Sequence, residues 1–306
     1  MSGPVMQSGY VGRFAPSPTG ALHAGSLVAA LASHLDARAH GGRWLLRIED
    51  VDGPRTVPGA DRDIIETLAR LGMQPDGPVL WQSERTARYE QAFEFLRERG
   101  WVYPCACTRR EIADSQTQGP NRVRSGEAIY PGTCRDGLAA GRPPRAWRVR
   151  VGDRRIEWTD RNGRHHDDHL ASSVGDFVLR RADGVWAYQL AVVVDDAEHE
   201  VTDIVRGDDL TESTARQILL QERLGARRPR YLHLPVLLAE DGRKLSKQNG
   251  ARPIAGDPPI QVLNAGLQHL GLGHVTAHTP REFWPRAIER WRNSHWMRTP
   301  ERSAGH

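Results

Sequence analysis

GRFAPSPTGALHAGS, residues 12–26, reads as strand, tight turn and helix, and the rest of the chain takes its meaning from it. An apolar run (Tyr10, Val11, Phe14) breaks at Pro16 and Pro18, turns at Thr19-Gly20, and passes into LHAGSLVAALASHL, whose apolar spacing is helical. A helix that starts after such a turn offers unpaired backbone N–H groups and the positive end of its dipole, which suits an anion. Ala24, Gly25 and Ser26 are small enough to admit a ligand close to the backbone, and His23 can donate to a phosphate oxygen. These fifteen residues alone fit a phosphate cradle and an ordinary strand-to-helix connection equally.

The chain has 306 residues, 39% hydrophobic and 26% charged, enough for a folded core in one large or two ordinary domains. No apolar run is long enough to span a bilayer, and MSGPVMQSGY lacks a signal-peptide core, so a soluble, cytoplasmic protein without a membrane partner is expected. The net charge of +4 permits a nucleic-acid partner without requiring one. Cys105, Cys107 and Cys134 are an odd, clustered set, which favours metal binding over a disulfide framework.

Working outward, Trp44 to Ile48 form an apolar strand that ends in Glu49, Asp50 and Asp52. Ligands gather at the carboxyl ends of parallel strands, so Glu49 is placed to hold a substrate ammonium group, while Asp50 and Asp52 suit a solvated turn. DRDIIETLARLG, closed by Gly72, and SERTARYEQAFEFLRERG, capped by Ser83 and closed by Gly100, read as scaffold helices. In the cysteine segment a fourth zinc ligand is needed, with Tyr130, His165 and His166 as candidates beside three reduced, partly buried thiols as the alternative. The loop from Asp114 to Glu127 reads as mobile. Arginines between Arg135 and Arg155 alternate along RAWRVRV, as on a solvated strand face or one that meets a phosphate backbone.

Further on, Asp183-Gly184 reads as a hairpin turn, and Leu190 to Val194 as a strand buried on both faces. VTDIVRG is a strand ending at Arg206, a residue type that binds carboxylates bidentately, and TESTARQILLQERLG is a capped helix closed by Gly225. After the strand RYLHL comes a loop with Lys244 and Lys247, suited to neutralising phosphates or to a solvated turn. Helices are expected near Pro258 to Leu270 and Pro280 to Trp291, with Trp284, Trp291 and Trp296 packing the core rather than stacking on bases.

RFAPSPTGALHAGS, RIEDVD, RGDDL followed by STARQ, and DGRKLSKQ, in that order, resemble the catalytic core of class I glutamyl-tRNA synthetases. HAGS stands where that family carries its HIGH signature and KLSKQ where it carries KMSKS. The resemblance implies an α/β fold: a Rossmann-like parallel sheet with a zinc-binding insertion and a short helical C-terminal part. The implied division is 8–100 and 173–238 for the two catalytic halves, 101–172 for the insertion, and 239–306 for the KMSKS-like loop and tail. It further implies that Arg13, Phe14, Ala15, Pro16, Ser17, Glu49, Tyr188 and Arg206 bind L-glutamate, with Glu49 on the amino group and Arg206 on the side-chain carboxylate. His23, Gly25, Lys244 and Lys247 would serve ATP, which brings Mg²⁺.

Two departures shape the expectation. Ser26 and Gln248 differ from the family signatures, a variation that the glutamyl branch tolerates. Few residues follow KLSKQ, too few for an anticodon-binding domain, and a short chain with a Cys-x-Cys…Tyr-x-x-x-Cys insert resembles the glutamyl-Q tRNA(Asp) synthetases. That resemblance implies transfer of activated glutamate to queuosine in the anticodon loop of tRNA(Asp), a monomer, and one structural Zn²⁺ held by Cys105, Cys107, Tyr130 and Cys134. The stretch between Cys107 and Tyr130 is longer than that pattern leads one to expect. The rival expectations are a minimal glutamyl- or glutaminyl-tRNA synthetase charging a 3′ end, and a non-enzymatic RNA-binding paralogue.

Overall fold

Val11–Phe14 (β1) is buried along its whole length, as a central strand covered on both faces must be. In the computed structural model, which describes residues 9–115, 129–237, 254 and 256–297, it is followed by Ala24–Ala39 (α1), Arg43–Ile48 (β2), Ala60–Arg70 (α2), Leu80–Trp81 (β3) and Thr86–Glu98 (α3). The next elements are Val102–Cys105 (β4), Arg109–Asp114 (α4), Ala146–Val149 (β5), Arg155–Thr159 (β6), His165–His169 (β7), Leu170–Ser173 (α5) and Val178–Arg181 (β8). The chain then returns through Tyr188–Glu198 (α6), Asp203–Gly207 (β9), Thr211–Leu224 (α7) and Arg230–Leu234 (β10) to Pro259–His269 (α8) and Pro280–Arg292 (α9).

β3, β2 and β1 pair in parallel, as do β9 and β10. The two halves meet at β1 and β9, where Thr202 N–H donates to Val11 O (2.9 Å) and Val11 N–H to Thr202 Oγ1 (2.9 Å). This is the switch point of a doubly wound sheet, and a crevice opens at the carboxyl ends of its two central strands. The parallel α/β architecture expected from the sequence is the one found. β4, β5 and β8 form a separate antiparallel sheet, and β6 and β7 a hairpin, both contributed by the segment between the two halves.

α1 lies on the sheet with its apolar side chains buried among α8 and α9. At Gly266 of α8 an added Cβ would come 2.6 Å from Leu31 Cδ2, so only glycine permits this approach. Trp284, Trp291 and Trp296 are buried, and their indole N–H groups donate to Leu71 O, Asp36 Oδ1 and Leu270 O. They pack the core, as expected.

Two local expectations fail. Leu190 to Val194 lie in a helix, α6, rather than a strand. The run is enclosed on all sides, so neither period shows in its sequence, and the helix continues into Asp195 and Asp196, whose charges are met by the half-buried Arg85 and the buried Arg47. The Asp183-Gly184 turn is present, with Arg181 N–H donating to Val185 O, but its second arm makes a single bridge, Arg180 to Trp186, before α6 begins. Ser83 does not cap α3: it sits in a 3-10 turn, Gln82–Arg85, and gives its N–H and hydroxyl to Asp50. Asp50 and Asp52 are thereby structural, Asp52 accepting from Arg55 and Arg181.

Candidate active site

A cleft of about 660 Å³ opens over the ends of β1, β2, β9 and β10. All ten described residues expected at the glutamate and ATP sites line it: Arg13 to Ser17, His23, Gly25, Glu49, Tyr188 and Arg206. Lys244 and Lys247 lie outside the described residues, as does most of the 114–127 loop.

At one end Glu49 stands just past β2, its N–H held by Pro16 O (2.9 Å) so that the two strand ends stay in register. Arg47 Nη2 donates to Glu49 Oε1 (3.2 Å) and Arg47 Nη1 to Asp196 Oδ1 (2.7 Å), while Arg13 Nε donates to Asp196 Oδ1 (3.1 Å). Burial would raise the Asp196 pKa, but Arg13 and Arg47 outweigh it and hold the carboxyl below its ordinary range. For Glu49 burial prevails over the same two cations, and its pKa is raised. A carboxylate kept in that state is stabilised by an arriving ammonium group. Burial and the charge of Glu49 raise the Tyr188 phenol, leaving a neutral hydroxyl beside the cleft.

Arg206 differs from Arg13 and Arg47. It is 4% exposed, yet its donors go to neutral acceptors: Nε to His233 Nε2 (3.0 Å), Nη1 to Gln217 Oε1 (2.8 Å) and Nη2 to Thr214 Oγ1 (2.7 Å). Among the described residues it forms no ion pair, and two of its five N–H groups are left over from these bonds. A buried cation without a protein carboxylate is costly to keep, and an anionic ligand offsets that cost.

The helix end of the cleft departs from expectation. His23 is the N-cap of α1, and its Nδ1 accepts from the N–H groups of Gly25 (3.1 Å) and Ser26 (3.4 Å), so those two donors are engaged by the ring rather than open to an anion. Because Nδ1 accepts, the neutral ring carries its proton on Nε2, the atom that reaches toward Ser26 Oγ (3.1 Å). Gly20, at φ 135°, makes the turn that only glycine makes easily. At Gly207 the absence of a Cβ leaves room for the Asp209 carboxylate. Leu210, Leu234 and Val236 supply an apolar wall.

Away from the cleft, the Sγ atoms of Cys105, Cys107 and Cys134 lie within 4.8 Å of one another, with Cys107 and Cys134 3.6 Å apart. Sulfurs at two corners of a zinc tetrahedron are separated by about 3.8 Å, so the spacing fits that metal. Tyr130 brings its phenol oxygen 3.4 Å from Cys105 Sγ and 3.7 Å from Cys107 Sγ. His165 and His166 are elsewhere, on β7, where His166 stacks on Trp158 with ring centres 3.9 Å apart. The arginine-rich stretch is largely engaged within the chain: Arg142 with Glu111, Arg148 with Asp176 O and the Tyr130 ring, Arg154 with Glu222, and Arg155 with Asp167.

Residues that sequence reasoning passed over are Arg47 and Asp196, which set Arg13 and Glu49, and His233, Thr214 and Gln217, which set Arg206. An arginine inside the apolar run RWLLRI and paired aspartates ending AVVVDD were the available signals, since charges so placed must be paired when buried.

A parallel sheet with a cleft at its switch point, a HIGH-like turn and a cysteine knuckle between two halves define a class I synthetase catalytic domain. Residues 10–257 match the family model described as tRNA synthetases class I (E and Q), catalytic domain. A glutamyl-Q tRNA(Asp) synthetase from Burkholderia cenocepacia is 56% identical over 292 residues, covering 94% of this chain and 97% of its own. One from Verminephrobacter eiseniae is 57% identical over 293 residues, covering 94% and 99%. Among solved structures, a glutamate tRNA ligase from Elizabethkingia meningosepticum, in complex with its amino acid, superposes with TM-score 0.66 at 31% identity over 80% of this chain. The present chain covers 53% of that one, about half its length. This chain therefore belongs to the glutamyl-Q tRNA(Asp) synthetase family of class I synthetase-like ligases.

Proposed function

We propose that the protein activates L-glutamate with ATP and transfers the glutamyl group to the queuosine base of tRNA(Asp), acting as a monomer in the cytoplasm. The observation that carries the amino-acid assignment is Arg206, a buried guanidinium held by neutral groups at the wall of the cleft, opposite in sign to Glu49 at the same cleft. A ligand with an ammonium group and a second carboxylate satisfies both. Arg206 takes the side-chain carboxylate bidentately, Glu49 the ammonium, and Tyr188 and Arg13 to Ser17 complete the glutamate pocket.

The α-carboxylate oxygen attacks the α-phosphorus of ATP; the bond from that phosphorus to the bridging oxygen breaks and pyrophosphate leaves, giving glutamyl-adenylate. A nucleophile of queuosine then attacks the acyl carbon, and AMP departs. Such steps need positioning and charge neutralisation more than a protein nucleophile. His23 Nε2–H serves the triphosphate at the start of α1, where Gly25 leaves room for it by lacking a side chain, Lys244 and Lys247 neutralise the charge that develops on it, and Mg²⁺ accompanies ATP. Cys105, Cys107, Tyr130 and Cys134 would hold a zinc ion whose part is to fix the knuckle.

Glutamate-dependent exchange of labelled pyrophosphate into ATP tests activation. Its absence across a range of Mg²⁺ concentrations, with and without tRNA, would contradict the first half. For the acceptor, queuosine-containing tRNA(Asp), its unmodified transcript and tRNA(Glu) are compared. Label stable only on the queuosine-containing tRNA supports the proposal, whereas label at the 3′ end of tRNA(Glu) points to a minimal glutamyl-tRNA synthetase.

A further inference from the structure

We infer that Asp160 and His233 are positioning residues for Arg206, and that together they set the preference for a carboxylate over an amide in the cleft; this rests on the glutamate reading above. Asp160 is buried in the turn between β6 and β7 and accepts from His233 twice, from its backbone N–H (3.1 Å to Oδ2) and from the ring Nδ1 (2.9 Å). The ring is itself buried, and its Nε2 accepts from Arg206 Nε at 3.0 Å. Arginine never accepts a proton bond, so Nε2 must be bare and the proton must sit on Nδ1, facing Asp160. The carboxylate therefore fixes the tautomer, and the tautomer fixes the acceptor that Arg206 leans on.

The turn that carries Asp160 is tied to β10 at Tyr231 and at His233 itself. Arg161 N–H donates to Tyr231 O (2.8 Å), and Asn162 Nδ2 donates to His233 O (3.3 Å). The hairpin between the two catalytic halves thus reaches the wall of the glutamate pocket through one imidazole. The arrangement has an electrostatic consequence. An aspartate placed directly against Arg206 would neutralise it and leave the cleft indifferent to a ligand's charge, as Asp196 does for Arg13. With a neutral ring interposed, the guanidinium is held in place while its charge remains for the substrate.

The test compares wild type with His233→Phe, which keeps the ring and removes the acceptor, and His233→Gln, whose side-chain oxygen can take the place of Nε2. Glutamate and glutamine are compared in pyrophosphate exchange. Loss of a hydrogen bond to a buried charged group predicts a rise in KM for glutamate of about tenfold to a hundredfold in His233→Phe. We expect kcat to change little, the glutamate-to-glutamine preference to shrink, and His233→Gln to recover most of both. Unchanged KM and preference in folded His233→Phe, or an equal fall in kcat for both amino acids without a change in KM, would overturn the inference. If His233→Phe does not fold, the ring ¹⁵N shifts of His233 in wild type decide: a proton on Nδ1 supports the relay, and a proton on Nε2 refutes it. A wild-type protein that exchanges pyrophosphate with neither amino acid refutes the glutamate reading itself, and the inference with it.

Discussion

Replacing Arg206 by leucine separates two things that usually fall together, the stability of the fold and the affinity for substrate. The free protein loses three hydrogen bonds to a charged group, each contributing roughly 1.5–3 kcal/mol. It also sheds a buried charge that no described carboxylate neutralises, a penalty of several kcal/mol that works in the opposite direction. Thr214 Oγ1 and His233 Nε2, 3.3 Å apart, can satisfy each other, so of these three acceptors only Gln217 Oε1 loses its partner, while Gln217 Nε2 keeps its bond to Gln189. The stability of the free protein should therefore change by less than about 2 kcal/mol. Binding has no such compensation, because removing one partner of a buried, hydrogen-bonded charge pair costs about 2–5 kcal/mol, roughly 30-fold or more in Kd.

A thermal-shift titration reads both quantities. Glutamate at about 100 times the wild-type Kd stabilises wild type by about 2.7 kcal/mol, and the same concentration should stabilise Arg206→Leu by less than about 1 kcal/mol. The reasoning is refuted if the variant keeps the full glutamate shift, or if its unliganded Tm drops as far as that of a variant in which a truly paired ion is broken.

Asp196→Ala is that paired case. It strands Arg13 in the interior and takes from Arg47 its shortest ion pair, leaving that residue Glu49 and Asp195, so a loss of about 3–5 kcal/mol is expected, seen as a fall in Tm of roughly 5–15 °C in unliganded protein. Because the Asp196 pKa is depressed in the fold, its contribution is complete above the unfolded value of 3.8 and is lost as pH falls through the lower folded value. The acid limb of the stability profile should accordingly flatten in the variant. Glu49 behaves in the opposite sense: its raised pKa means that the fold favours the protonated form, so Glu49→Gln should stabilise the free protein near pH 7 while weakening glutamate binding. Wild-type affinity for glutamate should fall as pH drops through the Glu49 pKa, which lies above 4.5, and calorimetry across that range checks it. Metal analysis of Cys134→Ala should show zinc reduced by most of one equivalent per chain relative to wild type; equal content in both would remove Cys134 from the ligand set.

What could be read from the residues in order was the chemistry whose parts are neighbours in the chain. The strand end Arg13 to Ser17, the cap at His23 and Glu49 after RWLLRI each place their groups within a turn or two, as do the pairs Cys105 with Cys107 and Tyr130 with Cys134, so local geometry already limits where they can point, whereas the meeting of those two pairs is set by the fold. Arg206 was legible as a residue at a strand end, though not as a cation without a counter-ion among the described residues. That property depends on Thr214 and Gln217 from the following helix, His233 from the next strand, and Asp160 from a hairpin 73 residues away from His233. The pairing of Arg13 with Asp196 spans 183 residues. The run Leu190 to Val194 shows the same limit, since a segment enclosed on every side has no polar face to reveal its period. Sequence alone determined which groups stand at the ends of the strands. The tertiary structure decided which of their charges are cancelled by the protein and which remain for a ligand, because burial and ion pairing are set by the elements that the fold brings alongside.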